Sequence, residues 1–212
     1  MAPIARVGLW TGLSQVALKL LVPGIPDFYQ GTEVWDFSLV DPDNRRPVDY
    51  PYRLGLMADI ARYDAAPPGE RAAWLQGLCA EPDDGRIKMC LTRTLLRLRR
   101  AHPDLFDHGA YLPLAVTGAG ASHLVGFARE IAGQWLVVVV PRCYWAITRG
   151  AERLPLGAEV WGDTAVECPP QSVGVRLVDV FTGEPLVPPI PTDRVLAADL
   201  FRTFPIAVLM SA

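Results

Sequence analysis

The fold is decided by the stretch Pro23-Gly24-Ile25-Pro26-Asp27-Phe28-Tyr29-Gln30-Gly31-Thr32-Glu33. Leu9 to Leu21, just before it, carries leucine and valine at helical spacing, and the Pro23-Gly24 pair ends that helix. Ile25 to Tyr29 is short, apolar and aromatic, and therefore predicts a buried strand. In a parallel α/β architecture ligands bind beyond the carboxyl ends of the strands, so the polar residues that follow mark a candidate site.

A long polar loop follows this strand, from Trp35 to Tyr52. Loops of this length usually carry function or are disordered, and the aromatic residues of this one argue against disorder. The densest polar set in the chain lies here: Tyr29, Gln30, Glu33, Asp36, Asp41, Asp43, Asn44, Arg45, Arg46 and Asp49. Beside aromatic rings, such groups suit a sugar, whose hydroxyls need directional hydrogen bonds and whose ring faces need apolar surface. The same residues also fit a self-satisfied loop in which arginines pair with aspartates, and both interpretations stay open.

Three helices are predicted after the loop, namely Arg53 to Ala65, Glu70 to Leu78 and Ile87 to Ala101. The pattern changes after Phe106, where helical periodicity gives way to short strand-like runs. The predicted strands are Tyr111 to Val116, His123 to Arg129, Gln134 to Val140, Val175 to Asp179 and Phe204 to Leu209. Short strands separated by turns are typical of an antiparallel sandwich, so we place a domain boundary near residue 108.

Composition excludes several classes of protein. The 212 residues carry a net charge of -3 and are 50% hydrophobic, which excludes a disordered chain and argues against a dedicated nucleic-acid binder. The longest apolar run, Trp135 to Val140, is too short to span a membrane, and no secretory signal is expected at the start. The sequence shows no metal-ligand spacing, no Gly-x-Ser-x-Gly nucleophile and no dinucleotide or phosphate-binding loop. We expect buried thiols of a cytosolic protein at Cys79, Cys90, Cys143 and Cys168.

The stretch from Pro23 to Glu33 resembles the eighth-strand segment of alpha-amylase family barrels, which typically reads Gly-x-Pro-x-x-Tyr-x-Gly-x-Glu. The continuation Leu39-Val40-Asp41-Pro42-Asp43-Asn44-Arg45-Arg46-Pro47-Val48-Asp49-Tyr50 is narrower. It is similar to the maltooligosyl trehalose synthase branch of that family, the glucan 1-alpha-glucosylmutases. Later segments resemble the same branch: Asp84-Gly85-Arg86-Ile87-Lys88, Leu154-Pro155-Leu156-Gly157 and Val160-Trp161-Gly162-Asp163-Thr164. The resemblance covers nearly the whole chain in family order.

This resemblance implies an α+β chain in two parts. Residues 1–108 would be the C-terminal part of a (β/α)8 barrel, with its last strand, substrate loop and closing helices, and residues 109–212 an antiparallel β-sandwich domain. The family carries three catalytic acidic residues on earlier barrel strands, and a barrel needs about 250 residues. The catalytic carboxylates are therefore expected upstream of Met1, and this chain alone is expected to be inactive. No catalytic residue, metal ligand or cofactor is assigned to it.

The implied activity of the parent enzyme converts the reducing-end α-1,4 linkage of a maltooligosaccharide into an α,α-1,1 linkage, with retention of configuration through two carboxylates. The residues expected to bind this glucan are Tyr29, Gln30, Glu33, Asp43, Asn44, Arg45 and Arg46. Of the two arginines, one is expected to face the aspartates of the loop and the other the sugar or the barrel rim. The resemblance implies a cytoplasmic protein with no nucleic-acid or membrane partner. A non-catalytic carbohydrate-binding or scaffold module, and a maltooligosyl trehalose hydrolase-like enzyme, remain alternatives.

Overall fold

The structure is a computed structural model that describes residues 2–186 and 194–212. Its first half is helical, with one long loop between the first two helices. The helices are α1 (Ala2–Leu21), α2 (Tyr50–Ala65), α3 (Pro68–Ala80), α4 (Arg86–Ala101) and α5 (Pro103–Asp107). Within the described ranges, no helix combines the length and the apolar content that crossing a bilayer requires.

Helices α1 and α4 pack against each other at the centre of the helical part. The sequence of α4 places its apolar residues on one face, where Ile87, Leu91 and Leu95 are fully buried. Where this pair of helices ends, Arg99 donates hydrogen bonds from Nη1 to the Leu20 carbonyl (2.7 Å) and from Nη2 to the Gly24 carbonyl (3.1 Å). The Leu20 carbonyl lies in the last turn of α1, where it accepts no hydrogen bond from the helix itself. Arg99 therefore supplies the hydrogen-bond donor for this carbonyl.

The second half contains two antiparallel sheets. Its strands are β1 (Ala110–Leu114), β2 (Val116–Thr117), β3 (Leu124–Ile131), β4 (Gln134–Pro141), β5 (Ala165–Glu167), β6 (Leu177–Asp179), β7 (Arg194–Leu196) and β8 (Ala207–Ser211). Among the described residues the larger sheet has the order β1-β3-β4-β8-β6 and the smaller one β2-β5-β7. Short helices lie in the connections: α6 (Tyr144–Ile147), α7 (Ala158–Trp161) and α8 (Ala197–Leu200).

Strand β4 lies in the middle of the larger sheet and is buried on both faces. Leu136, Val138 and Val140 join the core formed by the helices, whereas Val137 and Val139 join a second core that includes residues of the smaller sheet. The alternation follows from the pleat of a strand, which sends successive side chains to opposite faces. The larger sheet therefore lies between the helices and the smaller sheet, which explains the continuous apolar run in the sequence.

The predicted buried strand from Ile25 to Tyr29 is wrong for this structure. These residues form no strand, and Ile25 is 98% exposed. A parallel strand needs neighbours for its backbone groups, and within the described residues no strand lies beside this segment. Side chains hold it instead: Lys19 donates from Nζ to the Asp27 carbonyl (3.0 Å), and its ammonium lies 3.7 Å from the ring centroid of Phe28.

Other boundaries differ for local reasons. The predicted strand from Tyr111 to Val116 divides at Ala115 into β1 and β2, which belong to different sheets. Strands β5 and β7 were not predicted, because three residues are too few to show an alternating pattern. The expectation that all four cysteines are buried is also wrong, because Cys143 is exposed at the start of α6 in a left-handed conformation.

Candidate functional site

The loop from Gly31 to Asp49 is fastened to helix α2 by one arginine. Arg53 donates from Nη2 to the Gly31 carbonyl (2.6 Å), from Nη1 to the Asp49 carbonyl (3.1 Å) and from Nε to Oε2 of Glu33 (3.2 Å). The Arg53 side chain is only 16% exposed, and two of its bonds, to Gly31 and Glu33, are partly buried, whereas the bond to Asp49 is exposed. A single guanidinium therefore joins the two ends of the loop.

The start of α2 explains where the loop ends. Asp49 is the N-cap of the helix, and its Oδ1 accepts a hydrogen bond from the backbone N–H of Tyr52 (2.9 Å). Pro51 occupies the first turn, where its missing N–H costs nothing. Tyr52 also donates its hydroxyl to the Asp84 carbonyl (2.7 Å). The helix consequently begins three residues before the predicted Arg53, and its first turn is tied to the segment before α4.

Trp35 and Lys88 hold the middle of the loop. Trp35 donates from Nε1 to the Pro82 carbonyl (2.6 Å), and Lys88 donates from Nζ to the Val34 carbonyl (2.9 Å) while lying 5.6 Å from the Trp35 ring centroid. Burial lowers the pKa of Lys88, although nearby carboxylates oppose this. Gly85 allows the segment before α4 to lie directly against Val34 of the loop. Its φ of +78° favours glycine, and a Cβ at this position would lie 2.7 Å from the Cβ of Val34.

The folded loop borders an open cavity of about 580 Å³, a volume typical of a small-molecule site. The residues around it are Gln30, Gly31, Trp35, Asp36, Phe37, Ser38, Asp43, Asn44, Arg46, Pro47, Val48, Asp49 and Arg53. Carboxylate, amide and guanidinium groups thus meet two aromatic side chains in one place. This combination of polar groups and aromatic surface is the one that the sequence predicts for a sugar.

The carboxylates at this cavity are already engaged by the loop itself. Asp36 accepts hydrogen bonds from the hydroxyl and the backbone N–H of Ser38, and these bonds lower the pKa of Asp36. Asp43 accepts from the backbone N–H of Leu39 (2.8 Å) and pairs with Arg46. Carboxylates held in this way order the loop and bind donors, and a lowered pKa makes Asp36 a poor general acid. These two carboxylates therefore fit the interpretation of a loop whose polar groups pair with one another.

One polar atom at the cavity is not engaged. Oδ1 of Asn44 is enclosed and has no hydrogen-bond partner among the described residues. A buried acceptor without a donor costs free energy, which an ordered water beside Oδ1 or a small rotation of the amide would relieve. The other groups of the loop therefore do not use the hydrogen-bonding capacity of Asn44 Oδ1.

The structure brings together four of the seven predicted glucan-binding residues at the cavity, namely Gln30, Asp43, Asn44 and Arg46. Tyr29 is 45% exposed and does not line it. Glu33 instead borders a second, apolar groove between α2 and α4. Arg45 donates from Nη2 to Oδ2 of Asp41 (2.6 Å) away from the cavity. Both arginines pair with aspartates of the loop, and of the two only Arg46 also borders the cavity. That one of them faces a sugar stays a prediction.

Sequence reasoning missed Arg53, and it used the aromatic residues of the loop only as a group, without assigning Trp35 or Phe37 to the site. Arg53 falls within a predicted helix, and nothing in helical spacing indicates that its side chain reaches back across the loop. The signal for the two aromatic residues was the one already used for the loop as a whole, since aromatic side chains beside clustered polar groups are typical of sugar sites. Among the described residues, no cluster of His, Cys, Asp or Glu side chains has the size needed to hold a metal ion.

Comparison with known proteins gives a consistent result. No family model matches the chain. A protein of Mycobacterium tuberculosis named as a maltooligosyl trehalose synthase is 35% identical over 198 residues, which cover 93% of this chain and 20% of that protein. The chain therefore spans about a fifth of the length of the curated relatives that it matches.

Solved structures agree with the sequence match. The maltooligosyltrehalose synthase of Arthrobacter ramosus superposes with a TM-score of 0.73 at 33% identity, over 98% of this chain and 23% of that one. Another solved maltooligosyl trehalose synthase gives a TM-score of 0.64 at 28% identity, over 100% of this chain and 23% of that one. The arrangement of helices and antiparallel sheets described above is thus similar to a part of these proteins.

Proposed function

The chain is related to maltooligosyl trehalose synthases, of whose length it spans about a fifth, and from this premise we propose that it is the C-terminal portion of such an enzyme. Residues 1–108 would complete a (β/α)8 barrel, and residues 109–212 would form the terminal β-sandwich. The segment from Ile25 to Tyr29 would become the last barrel strand once parallel neighbours pair with its backbone. The enzyme would work in the cytoplasm without a cofactor.

The reaction proposed for the whole enzyme is a glucan 1-alpha-glucosylmutase reaction. It moves the reducing-end glucose of a maltooligosaccharide from an α-1,4 to an α,α-1,1 linkage. Retention of configuration requires a carboxylate nucleophile and a second carboxyl that acts as acid and then as base. Asp36 and Asp43 are bound by the loop's own donors, so we assign both reacting carboxylates to the part of the enzyme outside this chain.

The observation that carries the proposal is the cavity beside the loop and the rigid way in which that loop is held. After the first bond breaks, the released glucose must turn and attack through its anomeric hydroxyl before water does, which requires a closed and well-ordered pocket. Arg53 and Trp35 fix the loop wall, whereas Asn44 and Gln30 offer hydrogen-bonding groups to the cavity. In this proposal Asn44 and Arg46 hold the glucose that turns.

Two measurements on the purified chain test this proposal. Incubation with maltopentaose should cause no loss of reducing ends, because the reacting carboxylates are absent, and turnover comparable to that of a full-length synthase would refute it. In amide-resolved NMR, maltopentaose should shift the signals of residues 30–49. Asn44→Ala should weaken that binding, with Arg62→Ala, an exposed position on α2, as the matched control. Unshifted signals in this loop would favour a scaffold module without a sugar site.

A further inference from the structure

The apolar groove between helices α2 and α4 has a volume of about 420 Å³ and is open to solvent. Its apolar side chains stay accessible, since Leu54 is 69% exposed, Leu96 41% and Met57 36%. Leaving such side chains together in water costs free energy, so a contiguous apolar surface of this kind usually marks an interface. Within the described residues no segment covers it.

The apolar residues of the groove form two rows of equal length. The row on α2 runs from Tyr50 through Leu54 to Met57, and the row on α4 runs from Met89 to Leu96. Side chains at these spacings lie on one face of a helix. Each row covers two helical turns, or about 10 Å along the helix axis. The groove can therefore hold an apolar stripe of about two turns.

Arginines line the same groove on the α4 side. Arg93, Arg97 and Arg100 follow one another at spacings of four and three residues, so they form a stripe beside the apolar row. Arg93 and Arg97 share one carboxylate oxygen, Oδ2 of Asp64, at 2.6 Å from Arg97. Arg100 is exposed and has no ion-pair partner among the described residues. Three arginines thus meet one carboxylate, which leaves an excess of two positive charges.

These features select the class of occupant. The backbone groups of α2 and α4 are used within the helices, so an extended segment in the groove would find no backbone partner in either of them. A helix satisfies its own backbone and needs only matching side chains. Apolar residues at i, i+4 and i+7 would fill the groove, and carboxylates beside them would pair with the arginines. The matching element is an amphipathic helix with an acidic flank.

We propose that this groove docks an acidic amphipathic helix from the remaining four fifths of the synthase, an assignment that rests on the proposed function. The curated relatives match this chain over only 20% of their own length, so most of such an enzyme has to pack against it. The groove offers that part accessible apolar surface together with unbalanced charge, the combination that gives an interface both affinity and orientation.

Filling the groove would also act on the candidate site. Arg53 lines both the groove and the cavity beside the loop, and its partner Glu33 lines the groove with a side chain that is 40% exposed. A docked helix would exclude water from this ion pair, whose atoms are 3.2 Å apart, and would strengthen its attraction. Because Arg53 joins the two ends of the loop, docking should make residues 31–49 more ordered.

The test compares the isolated chain with a chimera in which this chain replaces the matching segment of the Arthrobacter ramosus synthase. In hydroxyl-radical footprinting, oxidation of Leu54, Met57 and Leu96 should fall severalfold in the chimera, whereas Trp145, 49% exposed on α6, should keep its rate. Amide hydrogen exchange of residues 31–49 should slow in the chimera as well.

Charge reversal separates docking from general packing. Arg100→Glu in the chimera should restore much of the oxidation at the groove and speed up exchange in the loop, because it opposes an acidic helix. In the isolated chain it should leave the urea midpoint unchanged, since Arg100 is exposed and unpaired there. Arg62→Glu, at an exposed position of α2, is the matched control and should not change groove oxidation.

A peptide tests the same groove without the chimera. A peptide of about four helical turns, with leucines at i, i+4 and i+7 and glutamates beside them, should shift amide signals of α2 and α4 in the isolated chain. Arg100→Glu should raise its dissociation constant by about tenfold. The same peptide with lysines in place of the glutamates should not bind, and equal binding of both peptides would overturn the acidic character of the occupant.

The outcomes separate this inference from the proposed function. A chimera that forms the α,α-1,1 product while Leu54 and Leu96 stay fully oxidised overturns the docking and leaves the proposed function standing. A folded chimera with a protected groove and no such product supports the docking and counts against the proposed function. Protection of the groove without slower exchange at residues 31–49 would overturn the link through Arg53. If the chimera does not fold, absence of peptide binding overturns the docking surface.

Discussion

Replacing Arg53 with lysine should loosen the whole loop around the candidate site. Arg53 makes three hydrogen bonds from one planar group, to two carbonyls and the Glu33 carboxylate, and it is mostly buried. A lysine ammonium is a single point donor and cannot span these three acceptors at once. With two bonds lost and water replacing part of them, the free energy of unfolding should fall by about 2 kcal/mol.

Urea denaturation followed by tryptophan fluorescence measures this loss. With a denaturant slope of about 2–3 kcal/mol per molar urea, the midpoint should fall by about 0.7–1 M. Arg62→Lys is the matched control, because the Arg62 side chain is highly exposed and forms an exposed ion pair with Asp59. Amide hydrogen exchange should also speed up between residues 31 and 49, since the loop can open without global unfolding. An unchanged midpoint together with unchanged exchange in this loop would refute the role given to Arg53.

Three further predictions concern substitutions of single residues, namely Arg46, Asp179 and Gly85. In a chimera in which this chain replaces the matching segment of the Arthrobacter ramosus synthase, Arg46→Lys should raise the ratio of free glucose to trehalose-ended product. The rise should stay within about fivefold, because the Arg46 side chain is 76% exposed and its ion pair is worth at most about 1 kcal/mol. Arg45→Lys, away from the cavity, should leave that ratio unchanged, and equal effects of both would contradict the assignment. Burial raises the pKa of Asp179 to about 6, against hydrogen bonds from the backbone of Thr182 and Phe181. The folded state therefore binds a proton that the unfolded state lacks between about pH 4 and 6, so stability should fall as pH rises through this window, by as much as about 3 kcal/mol. Asp179→Asn should remove this slope in urea midpoints measured from pH 4 to 7, and an unaltered slope would show that another group titrates. Gly85→Ala should cost about 1–3 kcal/mol more than Gly133→Ala, because both positions have positive φ but only the first adds a clash with Val34. Equal thermal shifts for the two variants would contradict the close packing of the loop at Gly85.

The sequence predicted those elements whose pattern is long enough to be read locally. Helix α4 was predicted because Ile87, Leu91 and Leu95 repeat over several turns, and β4 because its apolar run is bounded by turns. The segment from Ile25 to Tyr29 shows the opposite case. Its composition fits a strand, but a strand exists only when neighbours pair with it, and local sequence carries no information about whether those neighbours are present.

The candidate site was predictable in composition but not in geometry. Clustering of Asp43, Asn44 and Arg46 is visible in the sequence, and these residues do meet at one cavity. The loop's three-dimensional path decides which of its charged side chains form ion pairs with one another. The pairing of Arg45 with Asp41 could therefore not be predicted from the sequence. The anchoring by Arg53 links positions about twenty residues apart, and no periodicity reports such a contact.

The most direct test of the proposed function is the activity of the chimera itself. This chain should fold in place of the matching fifth of the Arthrobacter ramosus enzyme, since the two share 33% identity with a TM-score of 0.73. With the remaining four fifths supplying the reacting carboxylates, the chimera is predicted to convert maltopentaose into a non-reducing product with an α,α-1,1 linkage. Asn44→Ala in the same chimera should lower that rate. A folded chimera that binds maltopentaose yet forms no α,α-1,1 linkage would contradict the conclusion that this chain is a working portion of a maltooligosyl trehalose synthase.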